Sequence, residues 1–114
     1  MIARIWHGWT TPDNADAYEA LLKSVILPSI LVKNVTGFQR IELLRRPLAA
    51  EVEFITVMWF DSLAAVKDFA GERYEEAVVP PAARDLLKRF DERSQHYEIR
   101  EVRERTAGQS AAAG

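Results

Sequence analysis

An α+β fold, with one antiparallel sheet and helices stacked on a single side of it, is what this 114-residue sequence predicts, and three observations carry the prediction. Runs rich in β-branched and aromatic residues recur at 2–9, 38–46, 51–60 and 94–102, each bounded by turn-forming residues. The segments between them return their apolar residues at i, i+3, i+4 and i+7, the period of a helix with one buried face. The run 51–60 is apolar on both faces, which marks a strand covered twice.

Ile2-Ala3-Arg4-Ile5-Trp6-His7-Gly8-Trp9 stops at Thr10-Thr11-Pro12-Asp13 and reads as the first strand. Tyr18, Leu21, Leu22 and Val25 then share a helical face. Pro12, Asp13 and Asp16 suit its N-terminus, so a helix is expected to about Leu27. Pro28 disfavours helical geometry at Leu27, and Ser29 to Lys33 is expected as a separate short turn of helix before Asn34-Val35-Thr36-Gly37. Phe38 to Arg46, closed by Pro47, is the second strand. Glu51 to Phe60 is the third, with Val52, Phe54, Thr56, Met58 and Phe60 on one face and Ile55, Val57 and Trp59 on the other. Leu63, Val66, Phe69 and Ala70 mark a short helix that starts at Asp61 or Ser62 and that Gly71 ends. After Pro80-Pro81, the repeat Ala83, Leu86, Leu87, Phe90 predicts a third helix, and Ser94 to Val102 the last strand. The order β-α-β-β-α-β, with an extra helical segment in the second crossover, is the ferredoxin-like pattern. The domain covers residues 1–104. Residues 105–114 hold little apolar surface and are expected as a tail without function.

Charge and composition narrow the functions. Fifteen Lys plus Arg against 17 Asp plus Glu leave a net charge of −2, without the basic face that displaces counterions from nucleic acid. No run offers the ~20 apolar residues of a membrane span, and the first residues lack a basic stretch followed by a long apolar one, so a cytoplasmic protein is expected. Zero cysteines remove disulfides, thiolate zinc sites, iron–sulfur clusters and Cys nucleophiles together. No Gly-rich phosphate loop, Ser-His-Asp order or nucleotide fingerprint appears, and no cofactor is expected. Helices on one side leave the other side of the sheet bare, where Ile55, Val57 and Trp59 lie, so a homodimer joined through that face is expected.

The start Met1-Ile2-Ala3-Arg4-Ile5-Trp6, the Gly37-Phe38 entry to the second strand, its close Leu43-Leu44-Arg45-Arg46, and Glu53-Phe54-Ile55-Thr56-Val57-Met58-Trp59 before Asp61-Ser62-Leu63 together resemble the antibiotic biosynthesis monooxygenase-like proteins of the dimeric α+β barrel superfamily. Phe69-Ala70-Gly71, Val78-Val79-Pro80-Pro81 and His96-Tyr97-Glu98 are similar to an uncharacterised subgroup. The resemblance covers about residues 1–103 and implies a dimeric barrel. It does not imply one activity, since the superfamily holds oxygenases, haem-degrading enzymes, isomerases and members with none assigned. The haem-degrading branch carries a His on the second crossover helix and an Asn on the first strand. Here Phe69 to Val79 holds no histidine and the first strand has Trp6-His7, so haem is not the expected substrate. A branch similar to the anthrone-oxidising monooxygenases uses Trp, Tyr, Arg and Asn around an electron-rich aromatic substrate, without metal or flavin. Trp59, Tyr74 and Arg45 are residues of those types.

His7 and His96 are the two histidines, and histidine titrates where proton transfer near neutral pH needs it. If the first and last strands pair in a register that sums to about 103, the two lie opposite each other on one face; a one-residue slip separates them. The commoner reading of each is a partly buried strand residue with a satisfied hydrogen bond. Two histidines without a carboxylate at motif spacing fall short of a metal site. Trp6 and Trp59 can wall a pocket or pack in the core, and Tyr74, in Glu72-Arg73-Tyr74-Glu75-Glu76, can act as part of a lid or cover the core's end. Arg4, Arg40 and Arg45 lie on strands where Glu42, Glu53, Glu98 and Glu101 are available for ion pairs, or where one of them can face an anion. The expected function is therefore a small-molecule enzyme of cofactor-independent monooxygenase type. His7 or His96 acts as base, and Trp6, Trp59, Tyr74 and Arg45 hold an aromatic or apolar metabolite. The alternative is a non-catalytic dimeric binding or structural protein whose aromatics fill its own pocket.

Overall fold

Strand pairing is antiparallel throughout, in a computed structural model that describes residues 1–105. The strands are β1 (Ile2–Thr10), β2 (Phe38–Pro47), β3 (Val52–Phe60), β4 (Leu87–Phe90) and β5 (Gln95–Glu98). The helices are α1 (Ala15–Leu21), α2 (Leu27–Leu31), α3 (Leu63–Ala70) and α4 (Pro81–Leu86). The sheet order is β2-β3-β1-β4, with β5 following β4 along the same edge of β1. The expected tail, 105–114, falls outside the described residues from its second position onward.

Alternation on the strands divides the sheet into two faces. Ile2, Arg4, Trp6, Gly8 and Thr10 of β1 share one face with Val52, Phe54, Thr56, Met58 and Phe60 of β3, and the helices cover it. Ala3, Ile5, His7 and Trp9 share the other face with Glu53, Ile55, Val57 and Trp59, and among the described residues the helices pack on the first face instead. Two apolar clusters fill the covered side. Tyr18, Leu22, Phe54, Val79 and Ala83 anchor one, where the Tyr18 and Phe54 rings meet edge to face at 4.9 Å. Met58, Phe60, Ala65 and Val66 anchor the other, with Phe38 and Phe69 against Phe60. Burying each large apolar side chain contributes roughly 1.5–3 kcal/mol.

The structure departs from the sequence expectation in three places. Pro28 does not break the first helix: Leu22–Ile26 forms a π turn, in which the Leu27 N–H donates back to the Leu22 carbonyl, and α2 continues through Pro28. The wider turn shifts the hydrogen-bond ladder by one residue, so the proline falls at the start of a new helical segment, where a missing N–H costs little. The third helix stops at Leu86, because Leu87 is extended (φ −81°, ψ 135°) and Leu87–Phe90 pairs with Thr10, Trp9 and Gly8 of β1. Leu87 and Phe90 fit a helical repeat, yet both also pack on the sheet side of the core. Gly8 makes that docking possible, since a Cβ there would lie 3.0 Å from Leu87 and 2.9 Å from the Trp6 ring. The last strand is correspondingly short, interrupted at 91–94 and ended at Glu98.

Gly37, with φ +89°, joins α2 to β2, and a Cβ built on it would stand 2.7 Å from the Ala65 Cβ on α3. Gly71 has a similar φ of +86° with nothing within 4 Å. Both substitutions to alanine should lose about 1–3 kcal/mol to backbone strain. Gly37→Ala should lose a further ~1–3 kcal/mol because backbone-borne Ala65 cannot move aside. Urea unfolding midpoints, read at constant m, check that order.

Candidate functional site

A cavity of about 300 Å³ opens between the sheet and the helices, at the seam of the two apolar clusters. Tyr18 and Leu22 wall it from one cluster and Met58 and Phe69 from the other, with Trp6 on its sheet side. The π turn places both Leu22 and Ile26 on this wall. The crossover segment Ala77–Pro80 closes a further side, held by the Ala77 N–H donating to the Glu92 carbonyl at 2.9 Å. Trp6 is locked by two contacts: its indole N–H donates to the Asp91 carbonyl at 2.7 Å, and its ring stands 6.2 Å from that of Phe90. The volume sits at the lower end of the ~300–1,000 Å³ range of small-molecule sites, and the mostly apolar lining is of the kind such sites have.

The charged group on the cavity wall that burial makes expensive is Arg4, which is 7% exposed. Its Nη1 donates to the Tyr74 carbonyl and meets His96 Nε2 at 2.9 Å. A guanidinium has only donors, so His96 Nε2 must accept, which fixes that imidazole with its proton on Nδ1. Burial and then the Arg4 charge lower the His96 pKa, opposed by Glu75. Burial also lowers the Arg4 pKa. No carboxylate among the described residues reaches ion-pair distance of Arg4; Glu42, Glu53, Glu98 and Glu101 pair with Arg40, Arg46, Arg100 and Arg103 instead. The cavity therefore has an apolar wall with one fixed, uncompensated positive charge. Beside it stand the Tyr18 phenol, whose ionisation burial pushes well above the usual range, and the Thr56 hydroxyl.

The six residues singled out in the sequence separate in space. Trp6 lines the cavity. His96 and Tyr74 line a more open neighbouring depression, with their rings edge to face at 5.1 Å; Ser94 lines both spaces, and Arg4 on the cavity wall bonds to the Tyr74 carbonyl and to His96. His7 does not join His96: the register sets Arg4 opposite His96, a sum of 100 rather than 103, and this odd shift sends the two histidines to opposite faces. His7 Nδ1 instead meets Glu53 Oε2 at 3.2 Å on the uncovered face, with its ring stacked near Trp9. Burial opposes ionisation of Glu53, but hydrogen bonds from His7 and Arg46 outweigh it and hold the carboxyl below its ordinary pKa. Trp59 is also on the uncovered face, donating to Glu42 at 2.6 Å beneath the Arg40 guanidinium. Arg45 clamps β2 to α1 through Asp16 and Glu19, away from the cavity. The sequence offers Arg4 only as one of three strand arginines that can pair or face an anion, and Tyr18 only as part of a helical face; the structure puts both on the cavity wall. The signal was present in the alternation Ile2, Arg4, Trp6, which puts a charge between two inward-facing apolar residues.

Among the described residues, no group of three or more His, Asp or Glu could hold a metal ion, and no helix is long and apolar enough to cross a membrane. No protein-family model matches the chain, and a search of curated proteins finds no match. Solved structures do match its fold. A Bacillus cereus protein provisionally classed as an antibiotic biosynthesis monooxygenase superposes with a TM-score of 0.62 at 10% identity, over 91% of this chain and 97% of that one. The haem degrader MhuD of Mycobacterium tuberculosis, solved with two haems bound in its active site, superposes with a TM-score of 0.57 at 19% identity, over 91% of this chain and all of the other. The chain thus has the ferredoxin-like α+β fold of those proteins. Its own cavity does not fit a haem iron held by imidazole, since neither histidine lines the wall and Arg4 already occupies His96 Nε2.

Two measurements test this geometry. Arg4→Met should shift stability by less than about 2 kcal/mol, because removing a buried charge that has no counter-charge offsets the loss of its bonds to the Tyr74 carbonyl and His96. Chemical denaturation reads this. His96 should make stability fall as pH drops: its folded pKa lies below the unfolded value of 6.5, so between the two the unfolded chain binds a proton that the fold refuses. The melting temperature should be level above about pH 7.5 and decline toward pH 5. His96→Gln, which can still accept from Arg4, should flatten that slope. The stabilisation from carboxyls held below 4.5, such as Glu53, is fully present across this range and is lost only at lower pH.

Proposed function

We propose that this chain is a monooxygenase-type enzyme that takes a small aromatic or otherwise apolar metabolite into the cavity, and that Arg4 holds an acidic hydroxyl of that metabolite as its anion. The buried guanidinium of Arg4, without a carboxylate partner among the described residues and on a mostly apolar wall, is the observation that carries this reading. A preorganised charge in a low-dielectric site stabilises developing negative charge far better than the same charge in water. The likeness of fold to a protein classed as a monooxygenase supports the same reaction type.

In this reading the substrate supplies all the electrons. The hydroxyl gives its proton to water as the metabolite enters at the mouth and reaches Arg4 as its anion, because Arg4 is already protonated and His96 Nε2 is already accepting from Arg4. The electron-rich anion then reacts with O₂ at a ring CH₂. Two C–H bonds break and one C=O forms, one oxygen atom enters the product and the other leaves as water, so four electrons pass from that carbon to O₂. Trp6, Met58 and Leu22 keep the ring in an apolar slot. His96 is a positioning residue: a neutral imidazole that orients Arg4 without cancelling its charge. His7 takes no part in the chemistry. It belongs to the uncovered face, where half-buried Ile55, Val57 and Trp59 beside exposed Leu44 and Tyr97 suit joining two copies into a homodimer. The cell compartment in this reading is the cytoplasm.

Oxygen uptake with a hydroxylated anthrone as probe is the test. The expected result is one O₂ consumed per carbonyl formed, with Arg4→Met lowering kcat/KM by about 10²–10³-fold, the scale of losing one oxyanion donor. His7→Ala should leave kcat/KM unchanged. Equal activity in Arg4→Met would overturn the role of Arg4, and tight binding with no oxygen consumed would make the protein a binding module instead.

A further inference from the structure

Cations that lack a carboxylate partner are not spread evenly over this molecule. Lys23, Arg40, Arg45, Arg46, Arg73, Lys88, Arg89, Arg93, Arg100 and Arg103 all form ion pairs. Among the described residues, Arg4, Lys33, Lys67, Arg84 and Arg105 do not. Arg4 and Lys33 both line the cavity. Arg84 donates to the carbonyl of Val79, a wall residue, and Lys67 stands over the ring of Tyr74, whose carbonyl holds Arg4. No Asp or Glu lines the cavity, in a chain with 17 of them. Arg4 is buried on the sheet floor. Lys33 is exposed just beyond α2, its Nζ 4.6 Å from the centre of the Phe69 ring that forms part of the same wall. The apolar slot thus has a positive charge in its floor and a second at its mouth.

We infer that the ligand of this cavity is an aromatic or apolar carboxylic acid bearing a second acidic oxygen, with the carboxylate against Lys33 at the mouth and the acidic hydroxyl at Arg4. The inference rests on the proposed role of Arg4 and adds the carboxylate and its anchor. The two anchors differ in kind. Arg4 is dehydrated and immobile, so it selects for an oxygen delivered at one place. Lys33 is a hydrated charge on a flexible stem, so it contributes modest, salt-sensitive affinity and orients the molecule with its acid end outward. A neutral ring with one hydroxyl would satisfy only the floor.

Binding to the full-length protein under nitrogen tests this without any turnover. Isothermal titration with a hydroxynaphthoic acid, the naphthol lacking its carboxylate and the naphthoic acid lacking its hydroxyl should rank the hydroxy acid tightest. Lys33→Met, which keeps an apolar stem on Phe69, should weaken the hydroxy acid about fivefold, the scale of one partly solvated ion pair, and leave the naphthol unchanged. Lys33→Arg should restore the affinity, and raising salt should reproduce the loss. Arg4→Met should weaken both hydroxyl-bearing probes and leave the carboxylate-only probe dependent on Lys33. If the naphthol binds as tightly as the hydroxy acid, or Lys33→Met weakens both equally, the carboxylate anchor is overturned while the role of Arg4 stands. If neither hydroxyl-bearing probe depends on Arg4, the parent reading falls as well.

Discussion

Burying a guanidinium costs several kcal/mol even after its hydrogen bonds are made, and a fold tolerates that cost where the charge meets a partner or does something with it. Arg4 meets two neutral acceptors, the Tyr74 carbonyl and His96 Nε2, and no described carboxylate. Much of the local structure depends on this arrangement. The irregular crossover after α3 is tied to β1 through Tyr74, and it runs on against 91–94 by the Ser94 to Glu75 and Ala77 to Glu92 hydrogen bonds. Those bonds set the wall of the cavity. The residue that is hardest to bury also fastens the segment that encloses the space in front of it.

The cavity itself follows from how the helices meet the sheet. Leu22 and Ile26, at the two ends of the π turn, both face the cavity, and Ile30 of α2 beyond it packs on the second cluster. The π turn rotates the residues after it, and the Tyr18–Phe54 cluster and the Phe60–Val66 cluster stay separate with a gap between them. Gly8 does the equivalent on the sheet, leaving room for the Trp6 ring and Leu87 to lie across the strand. Local irregularities at a proline-bearing helix and at a glycine in a strand thus convert what would be continuous packing into a site with a charged floor.

The sheet was legible in the sequence because its signals are local. The alternation on β3 separates Phe54, Met58 and Phe60 from Ile55, Val57 and Trp59 without reference to any other element, and Ser62 and Gly71 bound α3 as capping residues do. The errors arose where two readings of one pattern compete and a distant partner decides. Leu87 and Phe90 satisfy a helical repeat, yet the free edge of β1 draws them into a ladder. Pro28 is a helix breaker unless the preceding turn widens, as it does. At the site, Trp6 was recognisable as a wall residue because it is large, aromatic and on the inward side of β1. The pairing of His7 with His96 depended on a register that a sequence does not print, and three residues of difference exchanged His7 for Arg4 as the neighbour of His96. Likewise Glu42, Glu53, Glu98 and Glu101 are available by count to Arg4, Arg40 and Arg45, and geometry gives Glu42 to Arg40 along one strand and the other three to Arg46, Arg100 and Arg103.

The central claim is that the cavity receives an acidic hydroxyl as its anion because Arg4 is there. The absorption spectrum of a bound naphthol, recorded at a pH where the free compound is neutral, tests it most directly, since the naphtholate band is distinct from that of the protonated form. The account predicts the naphtholate band on binding to the protein and its absence on binding to Arg4→Met. A bound naphthol that stays protonated in the presence of Arg4 would contradict it.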